Sequence, residues 1–214
     1  VGASARKVPS APRRRTQGER RAASEEKLLA AATKLIAQRG SSKASFAEIA
    51  ARADCSHSLP FYLFGSKAAM LEALVDNAGD KFVEEVLGRA LDGARGLRAI
   101  SIVGKVFVQS LADPWAETRA IYVLIGESLG ANPELRPALN SYHARLRKLI
   151  RGWIEEAIED GEVSSDVDAE TQATLILSTL RGVGFSVLSD PEAFDLKKLT
   201  AATTHTLRRI ASGE

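Results

Sequence analysis

From Ser24 onward the apolar residues of this chain recur with the period of an α-helix, and nowhere with that of a β-strand. Leu28, Leu29, Ala32, Leu35 and Ile36 share one helical face. Ser24 precedes that run as an N-cap. Glu25 and Glu26 fill the first turn, where the helix dipole favours acids, and Gly40 ends the run. A second helix starts at Ser45 and runs to Arg52. The polar break Asp54-Cys55-Ser56 precedes a compact aromatic segment that ends at Phe64. Gly65-Ser66 breaks the chain again, and Ser66 caps a long helix from Lys67 towards Gly88. Further breakers leave helices near 95–112, 115–129, 134–159, 168–188 and 195–211. No hairpin signal of the Asn-Gly type occurs, so the fold class is all-α, with about nine helices. At 214 residues and 45% apolar, the chain is long enough to bury a substantial core.

Charge is distributed unevenly. Residues 1–23 carry seven basic side chains, Arg13, Arg14 and Arg15 among them, against Glu19 alone. Residues 24–67 hold six basic and four acidic side chains, whereas the remaining 147 hold 16 and 22. One end therefore suits a polyanion and the rest does not. The Pro-, Ser-, Ala- and Arg-rich start cannot bury enough apolar surface to fold alone, so 1–23 reads as a basic disordered arm. Cys55 is the single cysteine, which excludes an internal disulfide. No apolar run approaches a membrane span, and no apolar stretch follows the basic N-terminus as in a signal peptide. A cytoplasmic location without a membrane partner is expected. With three histidines, no Cys-x-x-Cys and no His-Glu-x-x-His, neither a metal nor a cofactor is expected.

Two short helices joined by a tight turn, behind a basic arm, meet the physical requirements of a helix-turn-helix. The first braces against the DNA backbone and the second enters the major groove, about 12 Å wide. Ser45-Phe46-Ala47-Glu48 gives the first helix a capping box. In order and spacing, Gly40, Ser45, Ile49-Ala50, Ala53-Asp54-Cys55-Ser56, Phe61-Tyr62-Leu63-Phe64 and Ser66-Lys67 resemble the N-terminal domain of the TetR family of one-component transcriptional regulators. The motifs cover residues 24–74; beyond them the likeness is one of helical pattern. The resemblance implies a three-helix DNA-binding domain over 24–70 and a helical effector-binding and dimerisation domain over 71–214. It implies that His57, Ser58, Leu59 and Phe61 read bases of a double-stranded operator, and that Ser45, Tyr62 and Lys67 hold phosphates. Lys67 begins a helix, so its ammonium and the helix N-terminus can meet one phosphate together. It also implies a homodimer on a palindromic operator, usually a repressor, that answers to a small-molecule effector. A DNA-binding protein without an effector would carry the same motifs. A closed cavity of a few hundred Å³ among the C-terminal helices would separate the two.

Three residues depart from the family pattern. Asp54 stands where the turn glycine is usual, and Phe61 where a tyrosine is usual, which leaves any hydroxyl contact to Tyr62. Pro60 would break a recognition helix capped at Ser56, so a start at or near Ser58 is expected.

In the C-terminal part, Phe82, Phe107, Trp115, Tyr122, Tyr142 and Trp153 either line an effector cavity or fill the core. Glu127 and His143 stand on largely apolar helices, where each either orients a ligand or faces solvent. The segment around Leu175–Leu188 is apolar on several faces, as a helix buried on both sides would be. The family's dimerisation mode then implies that Leu177, Leu180, Gly184, Val187 and Leu188 meet a second copy. One enzyme motif competes. Gly126-Glu127-Ser128-Leu129-Gly130 fits the G-x-S-x-G nucleophile elbow, with Asp190 and His205 following in hydrolase order. The elbow needs a parallel sheet, which nothing upstream supplies, so a hydrolase using Ser128 is disfavoured.

Overall fold

Side-chain caps decide where the helices begin. The computed structural model describes residues 16–112 and 116–214, so the expectations for Arg13, Arg14, Arg15 and Trp115 lie outside the described residues. The first helix, α1 (Gln17–Arg39), starts about two turns before Ser24. The Glu19 amide donates to the Thr16 hydroxyl at 3.2 Å, and the Thr16 amide donates to the Glu19 carboxylate at 2.7 Å. This reciprocal capping box replaces Ser24 as the start signal. Residues 17–23 are thus helical rather than part of an arm, and Arg20 and Arg21 are exposed on α1.

The helix-turn-helix forms as its residues require. α2 (Phe46–Arg52) carries the capping box between Ser45 and Glu48. Asp54 takes the left-handed conformation at φ 53°, which Asp tolerates better than most residues. α3 (Leu59–Phe64) starts after Ser58 and places Pro60 in its first turn, where a missing amide breaks no helical bond. Ser66 caps α4 (Lys67–Lys81) by accepting from the Ala69 amide at 3.1 Å. α4 runs unbroken through a π turn (Phe82–Leu87) into α5 (Gly88–Leu91). Then come α6 (Gly96–Ser110), α7 (Ala116–Ser128), α8 (Arg136–Glu159), α9 (Ala169–Ser189) and α10 (Leu196–Ser212). With α4, the π turn and α5 taken as one rod, the described residues form nine helices and no strand.

These helices enclose two apolar cores. Leu28 and Ile36 of α1, Ile49 of α2 and Met70 and Leu74 of α4 build the first, together with Ile121 and Leu124 of α7. The second joins Ile100 and Phe107 of α6, Trp153 and Ile154 of α8, Ile176 and Leu180 of α9, and Leu207 of α10. α7 serves both cores, since Tyr122 on its other face packs against the second.

The burial pattern of α9 corrects the expected interface. Leu177, Leu180, Gly184 and Val187 are buried within the protomer, and Leu188 packs partly buried against the same core. A Cβ on Gly184 would run into the Tyr122 side chain, so this glycine makes room for an internal tyrosine. Leu175 and Phe185 are the apolar residues that α9 leaves outside, at 47% and 65% exposure, with Gly182 open between them. A helix apolar on several faces has one face for its own core and another left over. The sequence pattern does not say which is which.

Glu127 also has a place other than the one expected. It reaches out of α7 to the loop after α1, where the Ser41 amide donates to its carboxylate at 2.9 Å. The Ser41 hydroxyl and the Asn132 side-chain amide donate to the same carboxylate, at 2.5 and 2.9 Å. Gly40 lies so near that a Cβ there would press on Glu127 Oε1 at 3.0 Å. Glu127 is therefore a polar latch between α7 and the loop that leads into the helix-turn-helix, with its carboxylate engaged by protein donors. Ser128 beside it is buried, and its hydroxyl donates to the Ile125 carbonyl at 2.7 Å at the end of an α-helix. That is no nucleophile elbow.

Glu127→Ala should strip partners from the part-buried Ser41 amide and hydroxyl, and so lower stability by about 1–3 kcal/mol. Urea unfolding measures this, and an unchanged midpoint and slope would remove the latch from the account.

Candidate functional site

The residues expected to face DNA stand at the starts of three successive helices. Ser45 precedes α2, His57 and Ser58 precede α3, and all three are exposed. Phe61 and Tyr62 of α3 are 66% and 71% exposed, although both are large and aromatic. Such side chains left in water are a contact surface waiting for a partner. Leu59 is half-buried and packs with Leu63 and Phe64 against the first core, so it has less to offer a base edge than its neighbours. Lys67 is partly exposed as the first residue of α4, beside amides that only Ser66 caps.

A second site lies between the cores. It is a largely apolar cavity of about 70 Å³ whose walls come from five helical segments. Ala78 and Phe82 come from the α4 rod, Phe107 from α6, Ile121 and Tyr122 from α7, Tyr142, Leu149 and Trp153 from α8, and Leu177, Leu180 and Arg181 from α9. Phe82, Phe107, Tyr122, Tyr142 and Trp153 were thus legible as cavity candidates. The cavity is smaller than the few hundred Å³ expected of a preformed drug-sized site. Phe82 and Phe107, both in its wall, meet edge to face at 6.4 Å between ring centres.

The polar part of the cavity is the part that sequence reasoning missed. Arg181 lays its guanidinium carbon 5.6 Å from the Tyr122 ring centre and 5.1 Å from that of Tyr142. Its Nε and Nη2 are buried and have no hydrogen-bond partner among the described residues. Burial opposes the charge, but Tyr142 and Tyr122 outweigh it, so the pKa lies above the ordinary arginine value. The Tyr122 hydroxyl donates to the Arg181 carbonyl at 3.3 Å, and burial raises its pKa despite the nearby guanidinium. Glu117, also at the cavity wall, pairs with Lys81 at 3.7 Å. A lone arginine on an apolar helix reads as solvated, and only its position opposite two tyrosines reveals otherwise.

A helix-turn-helix with exposed residues at the starts of its helices, joined to a helical unit with a largely apolar cavity, defines a DNA-binding regulator. The chain belongs to the TetR family of transcriptional regulators: residues 28–74 match the model of the bacterial regulatory proteins of the tetR family, and residues 98–212 match the C-terminal model of BetI-type transcriptional repressors. The chain is 23% identical to the HTH-type transcriptional regulator UidR of Escherichia coli K12 over 187 residues, 87% of this chain and 90% of UidR. A TetR-family regulator from Rhodococcus sp. superposes with a TM-score of 0.80 at 19% identity, over 89% of this chain and all of that one. The SmeT–triclosan complex superposes with a TM-score of 0.71 at 20% identity, over 86% of this chain and 90% of SmeT. The protein is a DNA-binding transcriptional regulator and not an enzyme.

His143 lies next to the cavity without lining it, its ring centre 5.4 Å from that of Tyr142. Burial, then the charges of Arg181 and Arg147, push its pKa down to about 4. It is neutral at pH 7, and its buried Nε2 has no hydrogen-bond partner among the described residues. Between about pH 6.5 and about 4 the unfolded chain binds a proton here that the folded chain refuses, so stability falls as pH falls through that window. The melting temperature of wild type should therefore drop more steeply on acidification than that of His143→Phe. Parallel pH profiles for the two would show that His143 contributes nothing to acid sensitivity.

Proposed function

We propose that this chain is a ligand-responsive repressor that binds a palindromic operator as a homodimer. The observation that carries this reading is the position of α7. α7 walls the cavity through Ile121 and Tyr122, and its end is latched to Ser41 beside the helix-turn-helix. A body entering the cavity bears on α7 and on the α4 rod among its walls. α4 starts at Lys67, next to the DNA, and continues into Phe82 at the cavity. An effector that binds the opened arrangement better than the closed one shifts the pair of reading helices away from operator spacing. The BetI-type repressor match of the C-terminal helices supports repression, and the triclosan held by SmeT supports a small-molecule ligand.

Dimerisation uses the outward face of α9 in this reading. Leu175, Ser178, Gly182 and Phe185 follow one another at helical spacing and are all exposed. An apolar stripe of this kind suits a two-fold contact with its own copy. Phe185→Glu should yield a monomer that keeps its helical content and loses high-affinity operator binding, because two weak half-site readers are no longer linked. Light scattering at micromolar concentration reads the first half. A variant that stays dimeric moves the interface elsewhere.

The roles of the DNA-facing residues separate by experiment. Selection of bound sequences from random DNA defines the operator. His57→Ala should then relax preference at one position of each half-site. Lys67→Ala should weaken all sequences about equally and flatten the salt dependence. Loss of affinity without altered preference in both variants would contradict base readout by His57. In the same assay, full operator release on adding an effector tests repression by ligand. A protein that no small molecule releases would be a regulator without an effector.

A further inference from the structure

The cavity contains a permanent cation with nothing to neutralise it. Arg181 remains protonated at every physiological pH. Its buried Nε and Nη2 make no well-formed hydrogen bond, and no carboxylate pairs with it among the described residues. The Tyr142 and Tyr122 side chains hold it in place through their ring faces and hydroxyls, and cation–π contact accounts for part of the cost of burying it. They leave the guanidinium without a carboxylate partner. Glu117, the one carboxylate among the cavity's lining residues, is engaged by Lys81.

The position is also built deliberately. A Cβ on Gly79 would lie 2.7 Å from the Tyr142 ring, and one on Gly184 would clash with Tyr122. Two helices thus give up a side chain so that the two tyrosines can flank Arg181. A buried charge without a hydrogen-bonded partner is destabilising, and a hydrophobic residue of similar volume would serve the core better. A group kept at that cost suits a ligand that completes it.

Resting on the reading of this cavity as the effector site, we propose that the effector is a monocarboxylate with an apolar body, its head group paired with Arg181. The planar fork of a guanidinium matches a carboxylate in two parallel hydrogen bonds. The body is bounded by volume. At about 70 Å³ the cavity is about half the roughly 150 Å³ in which an apolar protein cavity holds benzene, so the body is no larger than one aromatic ring and a wall gives as it enters. The rings of Phe82, Phe107 and Trp153 give such a body edge and face contacts.

Benzoate, benzamide and benzylamine share the ring and differ in charge, which makes them a direct test. Binding is followed by Trp153 fluorescence and by melting temperature on the full chain. Benzoate should bind wild type at least about tenfold more tightly than either of the others, as a charge-assisted pair requires. Arg181→Met should erase that preference, and without ligand should melt no lower than wild type, since it removes an unpaired buried charge. Arg181→Lys should retain the preference, and it carries the test if the methionine variant does not fold. Benzamide bound as tightly as benzoate, or a benzoate preference surviving in Arg181→Met, overturns the counter-ion role while leaving the cavity a ligand site. If none of the three probes alters fluorescence or melting at millimolar concentration, the cavity itself is no effector site and both readings fall.

Discussion

The structure turns on the packing of α1 against α7. Each face of α7 answers to a different core, so the DNA-binding helices and the cavity helices do not meet as separate bodies across a thin seam. Ile121 and Leu124 are buried among α1 and α4 residues, while Tyr122 belongs to the other core. Full burial of each such side chain contributes about 1.5–3 kcal/mol. The Glu127 carboxylate fixes the register of that contact by taking hydrogen bonds from the Ser41 amide and hydroxyl. Apolar packing supplies the strength here, and one carboxylate supplies the direction.

This arrangement bears on how a small ligand can move a DNA-binding surface. A closely packed interior transmits a displacement instead of absorbing it. The cavity is small and has an edge-to-face aromatic contact in its wall, so occupation even by a single ring displaces a wall. Three of those walls, α7, α8 and the α4 rod, are also parts of the first core. Arg145 of α8 ties to Asp76 of α4 at 2.8 Å on the protein surface, a tether too exposed to resist such a movement strongly.

Much of the fold was legible in the sequence where short-range chemistry decides it. The Ser45–Glu48 box, the Ser66 cap, the left-handed Asp54 and the start of α3 behind Pro60 follow from the residues themselves. The start of α1 carried a comparable signal in Thr16-Gln17-Gly18-Glu19, but arginine-rich flanks and Gly18 made the segment read as an arm. Long-range placement was not legible. Glu127 and Arg181 are single charges on apolar helices, and nothing local tells a latch or a buried counter-charge from a solvated side chain. The aromatics of the cavity could be named, since bulk and apolarity suffice for that. Which face of α9 turns inward depends on where Tyr122 sits, and that is set fifty-nine residues away.

The π turn in the α4 rod has a consequence for chain length. Phe82 and Leu87 both border the cavity although they are five residues apart. In an α-helix that spacing separates two side chains by about 140°, whereas i→i+5 hydrogen bonding brings them nearly into line. The turn therefore holds one residue more than an α-helix would. Excision of a single residue from 82–87 would return the rod to regular α geometry with Leu87 four residues from Phe82, about 40° apart and still on the cavity side. Insertion of a residue has no such relaxed form and would turn Leu87 off the wall by about 100°. The pocket here tolerates the loss of a residue better than the gain of one.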